Sequence, residues 1–463
     1  MPDEITLVQV DGATTTKVEQ SSIFSPRYRM ATIGIVSLVA LIAFEALAVT
    51  TAMPAVADAL GGMSFYAFAF GITLATSVVG MTIAGGWCDS HGPAAPLWSG
   101  LGSFLLGVLI AGTAQSMPIF LAGRLIQGLG SGGVSVALYV LVGRQYPDSL
   151  RRKVFAAFST AWFLPSLVGP FLSGVVVEHI GWRWVFLSVP LFAIPAAAML
   201  RPALKNLPGF ATIRTNSLQR CFWACGAATG IALLYIGGQA QGMFACALVS
   251  LATVLSLTCS WKLLPSGTLV AAQGLPSVIA LRGLVFAAFF GSEAFLPLLL
   301  TQERGFTVPM AGLVLSSGAV GWCCASWYQG HSRNGWSRHQ FLRAGTNTVC
   351  FGLATTFSVL WPDIPVSMGI LGWVITGMGM GLISANLALL TLSMSPPDQQ
   401  GTNSSALHLC EAISVATSLS VSGSLFSILF KYSSKEAFLA VFFVVGTMAI
   451  LATIIVGQIR PLK

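Results

Sequence analysis

Residues 120–135 read FLAGRLIQGLGSGGVS. One arginine, Arg124, stands inside an otherwise apolar stretch, and glycines follow it at 128, 130 and 132. A guanidinium at the centre of a membrane helix costs about 2.5 kcal/mol or more on insertion scales. It is therefore rare there unless a partner charge, a protein interior or a water-filled path receives it. The plain alternative is a side chain that snorkels to the interface. Glycines on alternate positions let neighbouring helices approach closely.

The rest of the chain suits that setting. Of its 463 residues 55% are hydrophobic and 8% charged, where soluble domains carry about 25% charged residues. Spans of about 20 apolar residues recur from residue 31 to residue 459, which describes an all-α polytopic membrane protein in a lipid bilayer. The net charge of +8 does not indicate nucleic acid, because the basic residues lie in short loops between spans, as membrane orientation requires. The nine cysteines show no zinc-type or C-x-x-C spacing and the five histidines form no metal-ligand pair. The cysteines read as small buried hydrophobes. No metal or cofactor is expected. The first apolar span follows a polar tail and reads as a retained helix rather than a cleaved signal.

The hydropathy pattern predicts fourteen helices, at 31–56, 64–88, 95–115, 118–144, 151–178, 182–201, 219–239, 243–264, 275–301, 308–331, 340–361, 365–394, 400–430 and 436–459. With the N-terminus inside, eighteen basic residues, Arg282 among them, fall on the cytoplasmic side. Arg183, Arg304, Lys431 and Lys435 fall outside, and Arg124 is the one left in the membrane. That bias places both termini in the cytoplasm, and the expected location is the plasma membrane.

An internal repeat sets the architecture. RLIQGLGSGGVSVAL (124–138) aligns with WVITGMGMGLISANL (373–387), so that glycines 128, 130 and 132 fall on 377, 379 and 381. Glu45 falls on Glu293, and Pro147–Asp148 on Pro397–Asp398, at nearly the same offset. The expected organisation is a cytoplasmic tail (1–30), a six-helix bundle (31–201), a linker with two inserted helices (202–274), a second six-helix bundle (275–459) and a short cytoplasmic end (460–463). Parallel six-span repeats are an architecture of alternating-access transporters, with the substrate site between the halves.

Three acids lie well inside spans. Counting about 1.5 Å per residue, Glu45 and Arg124 both come to about 9 Å below the outer face of a core about 30 Å thick. A nearby cation favours the charged carboxylate and burial the neutral one, so Glu45 is poised as a proton carrier. Glu293 occupies the matching place, but Trp373 stands where Arg124 has its counterpart, which leaves Glu293 without a paired cation. Glu411 falls near mid-depth with His408 three residues before it on the same helix face. For each acid the alternative is a protonated side chain hydrogen-bonded between helices. PSLVGPFLSG (165–174) places Pro165 and Pro170 to bend helix 5, and Gly169 and Gly174 to pack it tightly. GGWCDSHG (85–92) ends helix 2, where Asp89 can meet an arginine or a helix N-terminus as an inner gate closes, with Gly92 at the turn. Phe44, Trp162, Phe163, Phe290 and Trp373 are candidate cavity aromatics. Tyr139 and Asn386 are candidate polar contacts for a substrate.

These motifs resemble the major facilitator superfamily, in particular its fourteen-helix drug:proton antiporters. FEALAVTTAMP (44–54) is similar to that family's first-helix pattern, with Glu45 at the acid and Thr50 at the Asn. RLIQGLGSGG (124–133) is similar to its helix-4 motif, Arg-x-x-Gln-Gly-x-Gly, and PSLVGPFLSG to its helix-5 antiporter motif. The resemblance implies two six-helix bundles plus two inserted helices. It implies a monomeric exporter of small amphipathic molecules in exchange for protons, with no enzymatic activity. It also assigns proton coupling to Arg124. In the 2–3 loop Gly85, Asp89 and Gly92 remain, but Ser90, Pro93 and Ala94 stand where the family has basic residues. Export of an endogenous lipid, siderophore or metabolite, and proton-driven uptake, are the alternatives within the same fold.

Overall fold

The computed structural model describes residues 22–62, 65–205, 207, 217–239, 242–306, 308–331 and 335–459. Most of the expected N-terminal tail, the last four residues, and Lys17, Arg214, Arg333, Arg460 and Lys463 of the charge count lie outside the described residues, as do the side chains of Thr50, Phe163 and Pro170.

The described chain is helical throughout. The first half holds α1 (Arg29–Ala59), α2 (Tyr66–His91), α3 (Ala94–Gly112), α4 (Met117–Gln145), α5 (Asp148–His179), α6 (Arg183–Leu187), α7 (Val189–Ala198) and α8 (Arg201–Leu204). Then come α9 (Ser217–Gln239) and α10 (Gly242–Leu263). The second half holds α11 (Leu275–Arg304), α12 (Val308–His331), α13 (Arg338–Phe357), α14 (Val366–Met394), α15 (Gln400–Leu429) and α16 (Ser434–Val456). Eleven of the described helices contain stretches long and apolar enough to cross a membrane. The polar composition of α13 keeps it outside that criterion. The expected single helix over 182–201 is broken at Ser188, and Pro195 lies inside α7.

Helix ends follow local chemistry. Pro118 sits in the first turn of α4, where its missing N–H is not needed. Tyr146 turns extended and Pro147 precedes α5. The second half repeats this, with Pro365 before α14 and extended Ser395 after it. Gly92 closes α2 at φ 83°, a left-handed value that favours glycine.

The glycine periodicity becomes packing. A Cβ on Gly128 or Gly132 would overlap the α2 backbone, while one on Gly130 would overlap α3 at Phe104. In the second half Gly377 and Gly381 press on α12, and Gly379 on α13 at Gly345 and Val349. The repeat seen in sequence is thus one helix, α4 or α14, wedged between two neighbours. Gly128→Val is expected to destabilise the protein by about 1–3 kcal/mol through overpacking. Gly174→Ala, which meets nothing within 4 Å, is expected to leave the melting temperature unchanged; a thermal-shift assay on detergent-purified protein compares the two.

One apolar core gathers residues of α1 to α8 with four from α14, and a second gathers α11 to α16. A third lies where α9 and α10 pack on α2 and α15. There Gly71 faces the Tyr235 ring, and the Ser420 hydroxyl donates to the Leu234 carbonyl at 2.8 Å. The inserted pair therefore covers one seam between the halves.

Candidate transport site

Arg124 and Glu45 meet directly. Arg124 Nη1 donates to Glu45 Oε1 at 2.8 Å and to Gln127 Oε1 at 2.7 Å. Arg124 and Glu45 are each 5% exposed and Gln127 is fully buried. The Arg and Gln of the helix-4 motif are one turn apart on α4, so Gln127 holds the guanidinium that Glu45 of α1 receives. Arg124 lies seven residues from the start of α4, about 10 Å along its axis.

The matching place in the second half is filled differently. Trp373 is fully buried, donates from Nε1 to the Leu315 carbonyl at 3.2 Å, and stacks on Phe289 at 4.9 Å. Phe286, Phe290 and Trp322 complete that aromatic group. Trp373 was expected at a cavity wall; instead it fills the gap between α11, α12 and α14 that Gly318 leaves open. Asn386 is likewise buried, and its amide donates to the Leu382 carbonyl of its own helix at 2.8 Å. Phe44 is half-buried against Gly169, while Trp162 is 46% exposed on α5. Of the seven expected residues, Trp373 and Asn386 are thus buried, Phe44, Phe290 and Tyr139 half-buried and Trp162 exposed, with the side chain of Phe163 outside the described residues. Glu293 is half-buried, with no hydrogen-bond or ion-pair partner among the described residues. It immediately precedes Ala294 and Phe295, which line a cavity of about 260 Å³ with Tyr235, Leu419 and Ser420.

Glu411 departs most from expectation. Arg282, counted on the cytoplasmic side near the start of the expected helix 275–301, is a buried side chain of α11 whose Nε donates to Glu411 Oε2 at 2.9 Å. Its depth along α11 matched an interfacial cation, but its partner on α15 turns it inward. His408 Nδ1 lies 3.7 Å from the same carboxylate oxygen. Tyr139 of α4 meets the His408 ring edge-on at 4.5 Å. The second half therefore has its own buried cation, on α11 about three turns from Glu293, and not at Trp373 of α14 where the repeat indicated.

Asp89 sits on a helix N-terminus. Its Oδ1 accepts from Gly401 N at 2.6 Å and its Oδ2 from Thr402 N at 2.8 Å, in the first turn of α15. Arg144 donates to the Cys88 carbonyl at 3.2 Å, and Arg220 of α9 to the Thr402 hydroxyl at 3.2 Å. Gly85 and Gly401 bring α2 and α15 together, and Ala156 with Gly330 does the same for α5 and α12. These contacts between the halves lie at the end of the bundle where α1, α5, α11 and α15 begin, the basic end.

The helix-5 motif behaves otherwise than expected. α5 runs as one helix of 32 residues through Pro165 and Pro170. Gly169 makes only ordinary contact with Phe44, and Gly174 faces open space. Close packing is therefore not what these glycines supply. The hold on α1 comes from Ser173, whose hydroxyl donates to the Ala48 carbonyl at 2.8 Å.

Residues 33–419 match the family model described as Major Facilitator Superfamily. An "MFS transporter L2" of Phoma sp. is 31% identical over 175 residues, 37% of this chain and 29% of its own length, so the chain matches under a third of that relative. A Mycobacterium tuberculosis protein named "Probable multidrug-efflux transporter" is 25% identical over 415 residues, 86% of this chain and 87% of its own. Among solved structures, the human organic anion transporter MFSD10 (TETRAN) superposes with a TM-score of 0.67 at 15% identity, covering 93% of this chain and 100% of its own. That likeness speaks to the fold alone.

Proposed function

The chain belongs to the Major Facilitator Superfamily, and within that family we propose that it is a multi-pass membrane transporter rather than an enzyme, one that exports amphipathic small molecules in exchange for protons. The observation that carries this reading is the buried Arg124–Glu45 ion pair, closed by Gln127. The proposed topology has fourteen crossings, the α6–α7 pair counting as one, with the basic end in the cytoplasm. The contacts gathered at that end support a state shut toward the cytoplasm.

A guanidinium does not lose its proton in proteins, whereas the carboxylate facing it can gain one. A proton arriving from outside on Glu45 cancels the pair's attraction and frees Arg124. Burial disfavours either charge alone, so the site favours the exchange of one positive species for another. A cationic or polar head group would leave as the proton binds. Rocking of the halves then returns the site to the cytoplasm, where the proton departs and Arg124 reclaims the carboxylate.

The test is dye or drug efflux from an efflux-deficient host expressing this chain, with the pH gradient intact and then collapsed by a protonophore or nigericin. Efflux above the vector control that falls to that control on collapse is expected. Efflux indifferent to the gradient removes the coupling, and no efflux of any amphipathic probe removes the substrate class.

A further inference from the structure

We infer that Tyr139, contributed by the first half, is a lid over a second proton-exchanging pair, Glu411 and His408, in the second half. The inference rests on the proton-coupled reading above and goes beyond it by placing a gated exchange point near the cytoplasmic end. Arg282 is the fixed member of the group. Its Nε donates to Glu411, its Nη1 donates to the Ser384 carbonyl at 3.5 Å, and its guanidinium lies 4.0 Å from the Phe286 ring centroid. Those three holds come from α11, α14 and α15, all in the second half, so Arg282 moves with Glu411. The remaining neighbours come from the other half. Tyr139 on α4 covers His408 and lies within hydrogen-bonding reach of Arg282, and Phe155 and Phe158 of α5 back its ring at 5.0 and 5.9 Å.

His408 Nε2 is buried and has no hydrogen-bond partner among the described residues. Its other nitrogen faces the Glu411 carboxylate at 3.7 Å. The aromatic plug closes the face of the pair that Tyr139 covers, while the Glu411 side chain keeps 20% of its surface exposed elsewhere. Asp89 of α2 and Arg220 of α9 reach α15 only at Gly401 and Thr402, about 10 Å below His408 along the helix. Cys410 is the further titratable group beside Glu411. When Asp89 lets go of α15 and the halves part, the plug leaves with the first half and the pair opens to the cytoplasm. Latch and lid both bear on α15 and open in one motion, so proton release is tied to the inward-facing state.

Liposomes holding the purified full chain and a lumenal pH dye test this, with a pH jump and no substrate. Tyr139→Ala is expected to leak protons at least several-fold faster than wild type, and Tyr139→Phe, which keeps the ring, at the wild-type rate. Adding His408→Asn to Tyr139→Ala is expected to suppress the leak. Tyr139→Leu serves if the alanine variant does not fold. A wild-type leak rate in folded Tyr139→Ala or Tyr139→Leu overturns the lid. A leak unaffected by His408→Asn overturns the role of that pair. Loss of gradient-driven efflux in the host assay instead bears on the coupling reading, so the two failures are distinguishable.

Discussion

Glu45→Gln is expected to bring gradient-driven efflux down to the level of the empty vector. The amide keeps the shape and can still accept from Arg124, but it cannot take or release a proton at any relevant pH. Removing one partner of a buried ion pair costs about 3–5 kcal/mol, because the other charge is left uncompensated. Some loss of stability therefore accompanies the functional loss and must be separated from it. The double variant Glu45→Gln with Arg124→Gln does this. It removes both charges, so its melting temperature is expected to recover toward wild type while efflux stays at the vector level. Arg124→Ala alone behaves differently again: the carboxyl it leaves behind escapes its cost by protonation, so its instability is expected to lessen as pH falls. Gradient-dependent efflux at the wild-type rate in the double variant would remove Glu45 and Arg124 from the mechanism.

How far residues could be placed from sequence depended on whether the controlling contact was local. Arg124 and Glu45 could be paired because rise per residue fixes depth on two helices of known direction, and the two depths agreed. The glycines were legible because 128, 130 and 132 repeat at 377, 379 and 381, and a close helix approach is the usual reason for such spacing. Arg282 was not. Seven residues into a helix, a long cation can snorkel outward or turn inward, and what decides is Glu411, 129 residues later. Trp373 was misplaced for a related reason. The alignment gave it Arg124's position but not its neighbours, and Gly318 with Phe289 makes a packed slot there in place of a polar one. The break at Ser188 turns on backbone satisfaction around Pro190 and Pro195, which hydropathy does not register.

Asp89→Ala is expected to loosen the basic end and to expose Cys88. The Asp89 carboxylate takes two N–H groups of the first turn of α15, donors that have no partner within their own helix. The positive end of the helix dipole adds to that attraction. Hydrogen bonds to a charged group are worth about 1.5–3 kcal/mol each, and every 1.4 kcal/mol is about tenfold in an equilibrium. These bonds exist only while α2 and α15 are together, so their loss acts on the shut state alone and moves the shut-to-open ratio by about tenfold or more. Cys88 reports that ratio. It is fully buried beside Asp89, and its Cβ lies 2.9 Å from where a Cβ on Gly401 would stand. Maleimide labelling of the purified protein, read peptide by peptide, should show Cys88 modified about tenfold faster in Asp89→Ala, with exposed Cys225 and Cys324 as internal references at unchanged rates. Asp89→Asn, which keeps one acceptor oxygen, should fall between. Gly401→Val reaches the same state by steric means, since its side chain would overlap the Gly85 carbonyl and hold the two helices apart. If Cys88 labels at the wild-type rate in both Asp89→Ala and Gly401→Val, the contact is packing without a gate, and what shuts the basic end must be sought at the seam of α5 and α12.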